Sequence, residues 1–312
     1  MELRRLGDSG LQVSAVGLGT NNFAGRLHDE AARAVLNEAL ELGVTFIDTA
    51  DVYGRGSDEG TGASESQLGR LIAGRRHRFV VATKVGLAMS ELPTERGASR
   101  RWIVTEIENS LRRLRTDYID LYQVHTPDPE TPIEETLRAL DDLVVAGKVR
   151  YVGHSNFAAW QIVDADWMAR SEHLIRPISA QMHYNLLNRA ISAEVVPACA
   201  ALGIGIIPFF PLESGFLTGK YRAGGTSSGR LAESTRAADV MNAANFARIE
   251  GFEAFAAERN HSLLDLAFGW LLSQPIVGPV IASASTPEQV RANVAAAEWR
   301  LSPADMASFA DL

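Results

Sequence analysis

Short apolar runs rich in β-branched residues alternate along the chain with stretches whose apolar positions recur every three or four residues. The runs predict strands over residues 16–19, 45–48, 79–84, 119–125, 149–155, 178–182, 205–210 and 280–284. Between them, Ala31, Ala34, Val35, Ala39 and Leu42 mark one helical stripe, and Ile103, Ile107, Leu111 and Leu114 another. Gly43 follows the first helix, Pro132 opens one beginning near Ile133, and Gly147 closes it. Pro287 and Pro303 stand where the first turn of a helix has an N–H to spare.

Strands apolar on both faces, each followed by a helix, predict a parallel sheet covered by helices. Eight such units over about 270 residues match the size of a closed (β/α)8 TIM barrel, an α/β fold. An open doubly wound sheet is the alternative, but it normally carries Gly-x-Gly-x-x-Gly after its first strand. Here that strand ends Gly17-Leu18-Gly19-Thr20-Asn21-Asn22, without the third glycine, and runs into a loop. The barrel is preferred. Residues 3–6 and 11–13, joined through Gly7-Asp8-Ser9-Gly10, read as an N-terminal β-hairpin that plugs the barrel floor, and extra helices are expected towards the C-terminus. The stretch 212–240, with a Gly/Ser-rich run from Gly224 to Gly229, is long enough to be either functional or disordered. No shift of composition divides the chain, so residues 1–312 read as a single domain.

Hydrophobic residues at 46% and charged residues at 22% exclude a disordered or collagenous chain. Cys199 is the single cysteine, which excludes an intrachain disulfide and any cysteine-built zinc or iron–sulfur site. The 30 basic residues against 38 acidic ones leave a net charge of −8, which repels polyphosphate backbones, so no nucleic-acid partner is expected. Met1-Glu2-Leu3-Arg4-Arg5 leads into no apolar core, and no apolar run approaches membrane-spanning length. A soluble, cytoplasmic protein without a membrane partner is expected; no pattern sets its oligomeric state.

In such a barrel, reactive groups lie at the C-terminal ends of the strands. Those ends bring Asp48, with Tyr53 in the loop behind it, Lys84, His125, Ser155-Asn156, Gln181 and Phe209-Phe210-Pro211 towards one mouth. Lys84, Lys148 and Lys220 are the only lysines among 30 basic residues, so arginine is the chain's default cation. A lysine closing a buried strand then points to a site that wants a compact ammonium beside a carboxylate. A phenol titrates near pH 10, about 4 kcal/mol from neutral operation, and a cation within hydrogen-bonding range lowers that barrier. Tyr53 is therefore a candidate general acid–base, with Asp48 holding Lys84 and His125 donating or relaying a hydrogen bond to the reacting oxygen. The plainer alternatives are a structural Lys84–Asp48 ion pair, Asp48 as a loop cap, Tyr53 as packing and His125 as an ordinary hydrogen-bonded histidine. Glycoside hydrolysis fits less well, because strands four and seven end in His125 and Phe209-Phe210, with Glu213 further into the loop. His28, His77, His173 and His261 are scattered over helices and loops, so no metal is expected.

These residues resemble the aldo-keto reductase family. Phe46-Ile47-Asp48-Thr49-Ala50-Asp51-Val52-Tyr53-Gly54, followed by Ser64-Glu65 and Leu68-Gly69, is similar to its strand-two signature. Thr83-Lys84-Val85-Gly86 resembles its lysine segment and Leu121-Tyr122-Gln123-Val124-His125 its histidine segment. Gly153-His154-Ser155-Asn156-Phe157, Gln181 with Tyr184-Asn185-Leu186-Leu187, and Pro211-Leu212 with Gly215-Phe216-Leu217-Thr218-Gly219-Lys220-Tyr221 are similar to further blocks, in order over essentially the whole chain. The detail resembles the bacterial and potassium-channel-β-like branch.

The resemblance implies metal-free hydride transfer between a nicotinamide cofactor and a small-molecule carbonyl, reducing aldehydes and ketones to alcohols and the reverse. Asp48, Tyr53, Lys84 and His125 would form the catalytic tetrad. Ser155, Asn156 and Gln181 would grip the carboxamide, Phe209 would stack on the nicotinamide, and Gly19, Thr20 and Asn21 would touch cofactor or substrate. Leu212, Gly215, Leu217 and Lys220 would close over the pyrophosphate, with the Gly/Ser-rich stretch beyond them as a lid. Ser283, Ser285, Gln289 and Asn293 would hold the adenosine end. Many NADPH-specific members carry Lys or Arg where this chain has Ser283, Ser285 or Gln289. NADP is still expected, with Arg291 or Lys220 adding charge, and NAD use stays open. Phe23, Trp102, the segment after His125 and residues 212–240 would shape specificity. The rival functions are a low-turnover, cofactor-binding sensor of the channel-β type and a different barrel enzyme whose motifs only mimic the family.

Overall fold

The computed structural model describes residues 1–224, 229 and 231–310. An antiparallel hairpin, β1 (Leu3–Arg5) and β2 (Gln12–Ser14), precedes eight parallel strands. They are β3 (Val16–Gly19), β4 (Phe46–Asp48), β5 (Val80–Val85), β6 (Ile119–Val124), β7 (Val149–Ser155), β8 (Ser179–His183), β9 (Gly205–Phe209) and β10 (Val280–Ala282). The order β10-β3-β4-β5-β6-β7-β8-β9 follows the chain around a barrel. Its last seam is stitched through Ile206, whose N–H donates to the Ile276 carbonyl (2.9 Å) and whose carbonyl accepts from Gly278 N–H (2.8 Å).

Helices α1 (Asp29–Glu41), α2 (Ala63–Ile72), α3 (Arg100–Leu114), α4 (Ile133–Val145), α5 (Ala159–Ser171) and α6 (Val195–Leu202) connect successive strands. The crossover from β9 to β10 carries a 3-10 segment (Glu213–Thr218), then α7 (Ala237–Val240), α8 (Ala243–Ala257) and α9 (Leu263–Leu272). After β10 come α10 (Pro287–Ala296), with Pro287 in its first turn, and α11 (Pro303–Ala310). The expected TIM-type barrel with its hairpin and extra helices is what forms. Most of the Gly224–Gly229 run lies outside the described residues. Among the described residues no helix is long and apolar enough to cross a membrane.

Two local expectations need correction. The strand expected over 280–284 stops at Ala282, and Ser283 leaves the sheet to face a groove at the mouth. The stripe of α1 is rotated: Ala31 and Ala34 are exposed, while Ala32, Val35, Leu36, Ala39 and Leu40 are buried. Alanine is small enough for either face, so the larger Val35, Leu36 and Leu40 decide which side goes in. In α3 the expected Ile103, Ile107, Leu111 and Leu114 are all buried.

One apolar cluster fills the space between sheet and helices, and a smaller one fills the barrel floor. In the latter, Leu6 and Val13 of the hairpin region meet Phe46, Ala82, Leu121, Ile207 and Ile281. Gly7 makes the plug fit: its φ is +57°, and a Cβ there would lie 2.5 Å from the Gly203 carbonyl oxygen.

Candidate active site

Asp48 ends β4, and Lys84 stands one residue before the end of β5. Lys84 is fully buried, and its Nζ donates to Asp48 Oδ2 (2.7 Å) and to the Thr49 carbonyl (2.8 Å). Asp48 Oδ1 accepts from Nε2 of Gln181 on β8 (2.8 Å), so both carboxylate oxygens are engaged. A turn closed by Tyr53 N–H on the Ala50 carbonyl (3.1 Å) brings the phenol back to the mouth. There Lys84 Nζ lies 5.1 Å from the centroid of the Tyr53 ring. His125, one residue beyond β6, meets that ring edge-on, with centroids 6.1 Å apart. Asp48, Tyr53 and His125 line one cavity of about 220 Å³.

Gly19, Asn21, Ser155, Asn156, Gln181, Phe209 and Ser283 line the same cavity. Ser155 Oγ donates to the Gln181 carbonyl (2.8 Å), and Asn156 Nδ2 donates to the His125 carbonyl (3.0 Å) and to Ser155 Oγ (3.1 Å). Asn156 holds a φ of +62°, a left-handed conformation that asparagine tolerates. With their donors used inside the protein, Ser155 and Asn156 can still offer a ligand acceptor oxygens. Phe209 is backed by the His183 ring, 5.5 Å away and nearly parallel.

A second groove, of about 430 Å³, shares Asn21, Phe210 and Ser283 with the cavity and runs on past Leu212, Gly215, Lys220, Ser285, Gln289 and Asn293. Gly215 has a φ of +92°, and a Cβ there would come within 3.2 Å of Lys220 Cε. Ser285 N–H donates to Gln289 Oε1 (2.7 Å) at the start of α10, and Asn22 Oδ1 is buried in the groove wall without a partner. An aromatic, acceptor-rich cavity opening into a long polar groove fits a dinucleotide.

Residues 15–312 match the model of the Aldo/keto reductase family. The chain belongs to the aldo-keto reductase family. This aldo-keto reductase is 36% identical over 309 residues to the "Uncharacterized oxidoreductase YrpG" of Bacillus subtilis (strain 168), covering 96% of this chain and 92% of that protein. It is 35% identical over 307 residues to the "Probable voltage-gated potassium channel subunit beta" of Oryza sativa subsp. japonica, covering 95% and 91%. A protein of the same name from Arabidopsis thaliana is 34% identical over 310 residues, covering 96% and 92%.

The electrostatics of the reductase site depart from expectation at one point. Burial raises the Tyr53 pKa above the ordinary phenol value; the Lys84 charge and hydrogen bond pull it down, but burial wins. The cation therefore acts in the expected direction without bringing the phenol below its usual range. Burial likewise works against the Lys84 ammonium, yet Asp48 and Tyr53 more than offset it and raise the Lys84 pKa. Burial, and then the Lys84 charge, push His125 down to about 3, so at neutral pH it is an uncharged imidazole that can hydrogen-bond but not protonate.

Five expected residues lie elsewhere. Thr20 is fully buried and structural: its N–H (2.9 Å) and Oγ1 (3.1 Å) donate to the Asp48 carbonyl, while Ser64 Oγ of α2 donates to the Thr20 carbonyl (2.8 Å). The Leu217 side chain sits in the core rather than over the groove. Arg291 is drawn off by Glu38 (2.9 Å) and Glu288 (2.6 Å). Phe23 and Trp102 are also core residues, not part of the mouth, because the loop and helix that carry them turn these large side chains inward.

Sequence reasoning missed Arg26, which lines the groove and pairs with Glu233 (3.0 Å), far along the chain. It also missed the support behind Phe209. There Glu213 Oε2 meets His183 Nε2 (2.7 Å) and Asn185 Nδ2 (2.7 Å), and Glu213 Oε1 meets Arg236 (2.5 Å). Burial alone would lift the Glu213 pKa, but these partners hold it below the usual carboxylate range. The left-handed φ values of Phe210, Glu213 and Ser214 had no local signal, since none of them is a glycine. Among the described residues no cluster of three or more His, Cys, Asp or Glu could hold a metal ion.

Proposed function

We propose that this chain is an active NAD(P)H-dependent carbonyl reductase, with Tyr53 as general acid–base. The observation that carries the reading is the convergence of Tyr53, His125 and Asp48 on the wall of one cavity that opens into a dinucleotide-sized groove, with Lys84 buried behind that wall on Asp48. Phe209 would stack on the nicotinamide, Ser155, Asn156 and Gln181 would receive its carboxamide, Gly215 and Lys220 would lie along the pyrophosphate, and Ser283, Ser285, Gln289 and Asn293 would hold the adenosine. A reduced nicotinamide held there supplies the hydride.

The protein's own part is proton and hydrogen-bond management. Tyr53 donates its hydroxyl proton to the carbonyl oxygen of the substrate as negative charge develops there. Lys84 stabilises the phenolate left behind, Asp48 fixes Lys84, and Gln181 fixes Asp48. Neutral His125 orients the carbonyl oxygen beside the phenol. NADP is the preferred cofactor on family habit and on the two cations lining the groove, Arg26 and Lys220; hydroxyls in place of cations at Ser283 and Ser285 leave NAD usable. The single cysteine suits a cytoplasmic setting.

Steady-state oxidation of NADPH and NADH against a panel of aldehydes and ketones tests the reading. Turnover is expected with NADPH, and Tyr53→Phe is expected to lose about 10³-fold or more in kcat with cofactor affinity nearly unchanged. Near-normal turnover in that variant rejects the acid assignment. The plant relatives named as channel β subunits favour a second reading, a sensor that holds the cofactor but turns over little. Tight NADPH binding with no turnover on any carbonyl would select it.

A further inference from the structure

Asp51 occupies the second position of the turn from Ala50 to Tyr53, and its own N–H donates to the Lys84 carbonyl (3.3 Å). It thus joins the segment that presents the phenol to the strand that carries the ammonium. Its side chain is fully buried, and neither carboxyl oxygen has a full hydrogen bond; the N–H of Val52 gives only slight relief. The groups around it are Glu65 of α2, Glu106 and Arg113 of α3, Tyr122 of β6, and Tyr53 of its own turn.

The guanidinium, hydroxyl and amide donors that reach Glu65 and Glu106 are already taken. Arg113 Nε binds Glu65 (2.6 Å), its other arm binds Glu106, Thr83 Oγ1 donates to Glu65 (2.5 Å), and Asn109 donates to Glu106 (2.9 Å). Tyr122 OH is buried without a partner. Three carboxyl groups face a single guanidinium, and Glu65 and Glu106 hold it between them. An ionised Asp51 would be a buried anion beside two carboxylates, whereas the neutral acid faces only the smaller penalty of an unpaired polar group. Burial first, and then Glu65 and Glu106, keep it protonated well above the usual carboxylate range.

We propose that Asp51 is a positioning residue for Tyr53: as a neutral carboxylic acid it lets the turn pack down, and its ionisation lifts the turn and withdraws the phenol from the reacting oxygen. The inference rests on the carbonyl-reductase reading above. Activity then has an alkaline limit set from outside the tetrad. The displacement of the turn by a charge on Asp51 sets that limit. Stability follows the same sign. The folded chain keeps a proton that the unfolded chain releases in the ordinary carboxylate range. The stabilisation is therefore complete below that range and is lost as pH rises through the folded-state value.

The test compares wild type with Asp51→Asn, whose amide copies the neutral acid in size but cannot ionise, in NADPH-dependent carbonyl reduction from neutral to alkaline pH. The variant is expected to keep neutral-pH kcat within about threefold and to move the alkaline limb of kcat/KM upward by about one pH unit or more. An unchanged limb overturns the proposal. Infrared difference spectra supply a readout that needs no turnover: a protonated-carboxyl band at neutral pH, present in wild type and missing from Asp51→Asn. Absence of that band in wild type also overturns it. Should Asp51→Asn not fold, loss of the wild-type band must coincide with the alkaline limb, and a mismatch overturns the proposal. A wild type that shows the band but reduces no carbonyl rejects the functional reading instead.

Discussion

At the floor of the barrel the inward-facing residues include Phe46, Ala82, Leu121 and Ile207; two positions further along the same strands stand Asp48, Lys84, Gln123 and Phe209. Residues two apart share a face, so one barrel wall passes from apolar to polar within a single repeat of each strand. The floor is closed by Leu6 and by a glycine turn that nothing larger could replace. At the mouth a fully buried ammonium is held by a carboxylate and a backbone carbonyl, yet the neighbouring phenol of Tyr53 lines the cavity. One end of the barrel holds the fold together by area buried, and the other holds buried charges to which the proposed function gives a chemical use. Disturbing them should therefore give different signatures.

The sharpest way to break the comparison is Lys84→Met. It leaves Asp48 as a buried carboxylate with Gln181 as its remaining partner, which is expected to destabilise the fold by about 3–5 kcal/mol. It also removes the strongest influence pulling the Tyr53 pKa down. Reduction should fall by about 10²–10⁴-fold, and the alkaline limb of any residual activity should move to higher pH. Adding Asp48→Asn removes the orphan charge, so denaturant unfolding should recover much of the stability while turnover stays lost. If turnover returns with stability, the pair is merely structural.

Leu6→Ala is the matching change at the floor. Leu6 is wholly buried in the inner cluster, so urea unfolding should show a loss of about 2–5 kcal/mol. The mouth is built by other segments, and kcat and cofactor affinity measured well below the unfolding transition should stay within about twofold of wild type. A selective fall in kcat would mean that the two ends are coupled through the inner layer.

The two ends also differed in how much of them the sequence made legible. Period-two and period-3.6 patterns report burial on one face, so the barrel and the hairpin at its floor could be read without coordinates. The proposed tetrad was legible for a related reason: Asp48 and Lys84 are polar residues at positions where the strand pattern demands apolar ones. What stayed hidden depends on contacts between distant segments. Arg26 reaches the groove because Glu233, over two hundred residues away, draws it there, while Arg291 is removed from the groove by Glu38. Trp102 looked like a mouth residue by position, but the helix phase that buries Ile103 and Ile107 buries it as well. The net rise in the Tyr53 pKa was equally out of reach, because residue types name the charges but not how completely water is excluded.

The smallest predicted effect separates a paired arginine that lines the groove from a paired arginine that does not. Arg26 is half exposed and lines the groove wall, where it pairs with Glu233 (3.0 Å), so the phosphates of a bound dinucleotide would compete with that carboxylate for it. Arg291 stands on α10 near Gln289 and Asn293, and Glu38 and Glu288 hold its guanidinium in two short ion pairs. An exposed cation opposite a phosphate is worth about 1 kcal/mol, which is roughly a fivefold change in affinity. Arg26→Ala should therefore weaken NADPH binding by about that factor in a fluorescence titration at low salt, and the difference should shrink as salt is added. Arg291→Ala should stay within about twofold at any salt concentration. Equal losses in the two variants would show that lining the groove does not decide which arginine a dinucleotide meets.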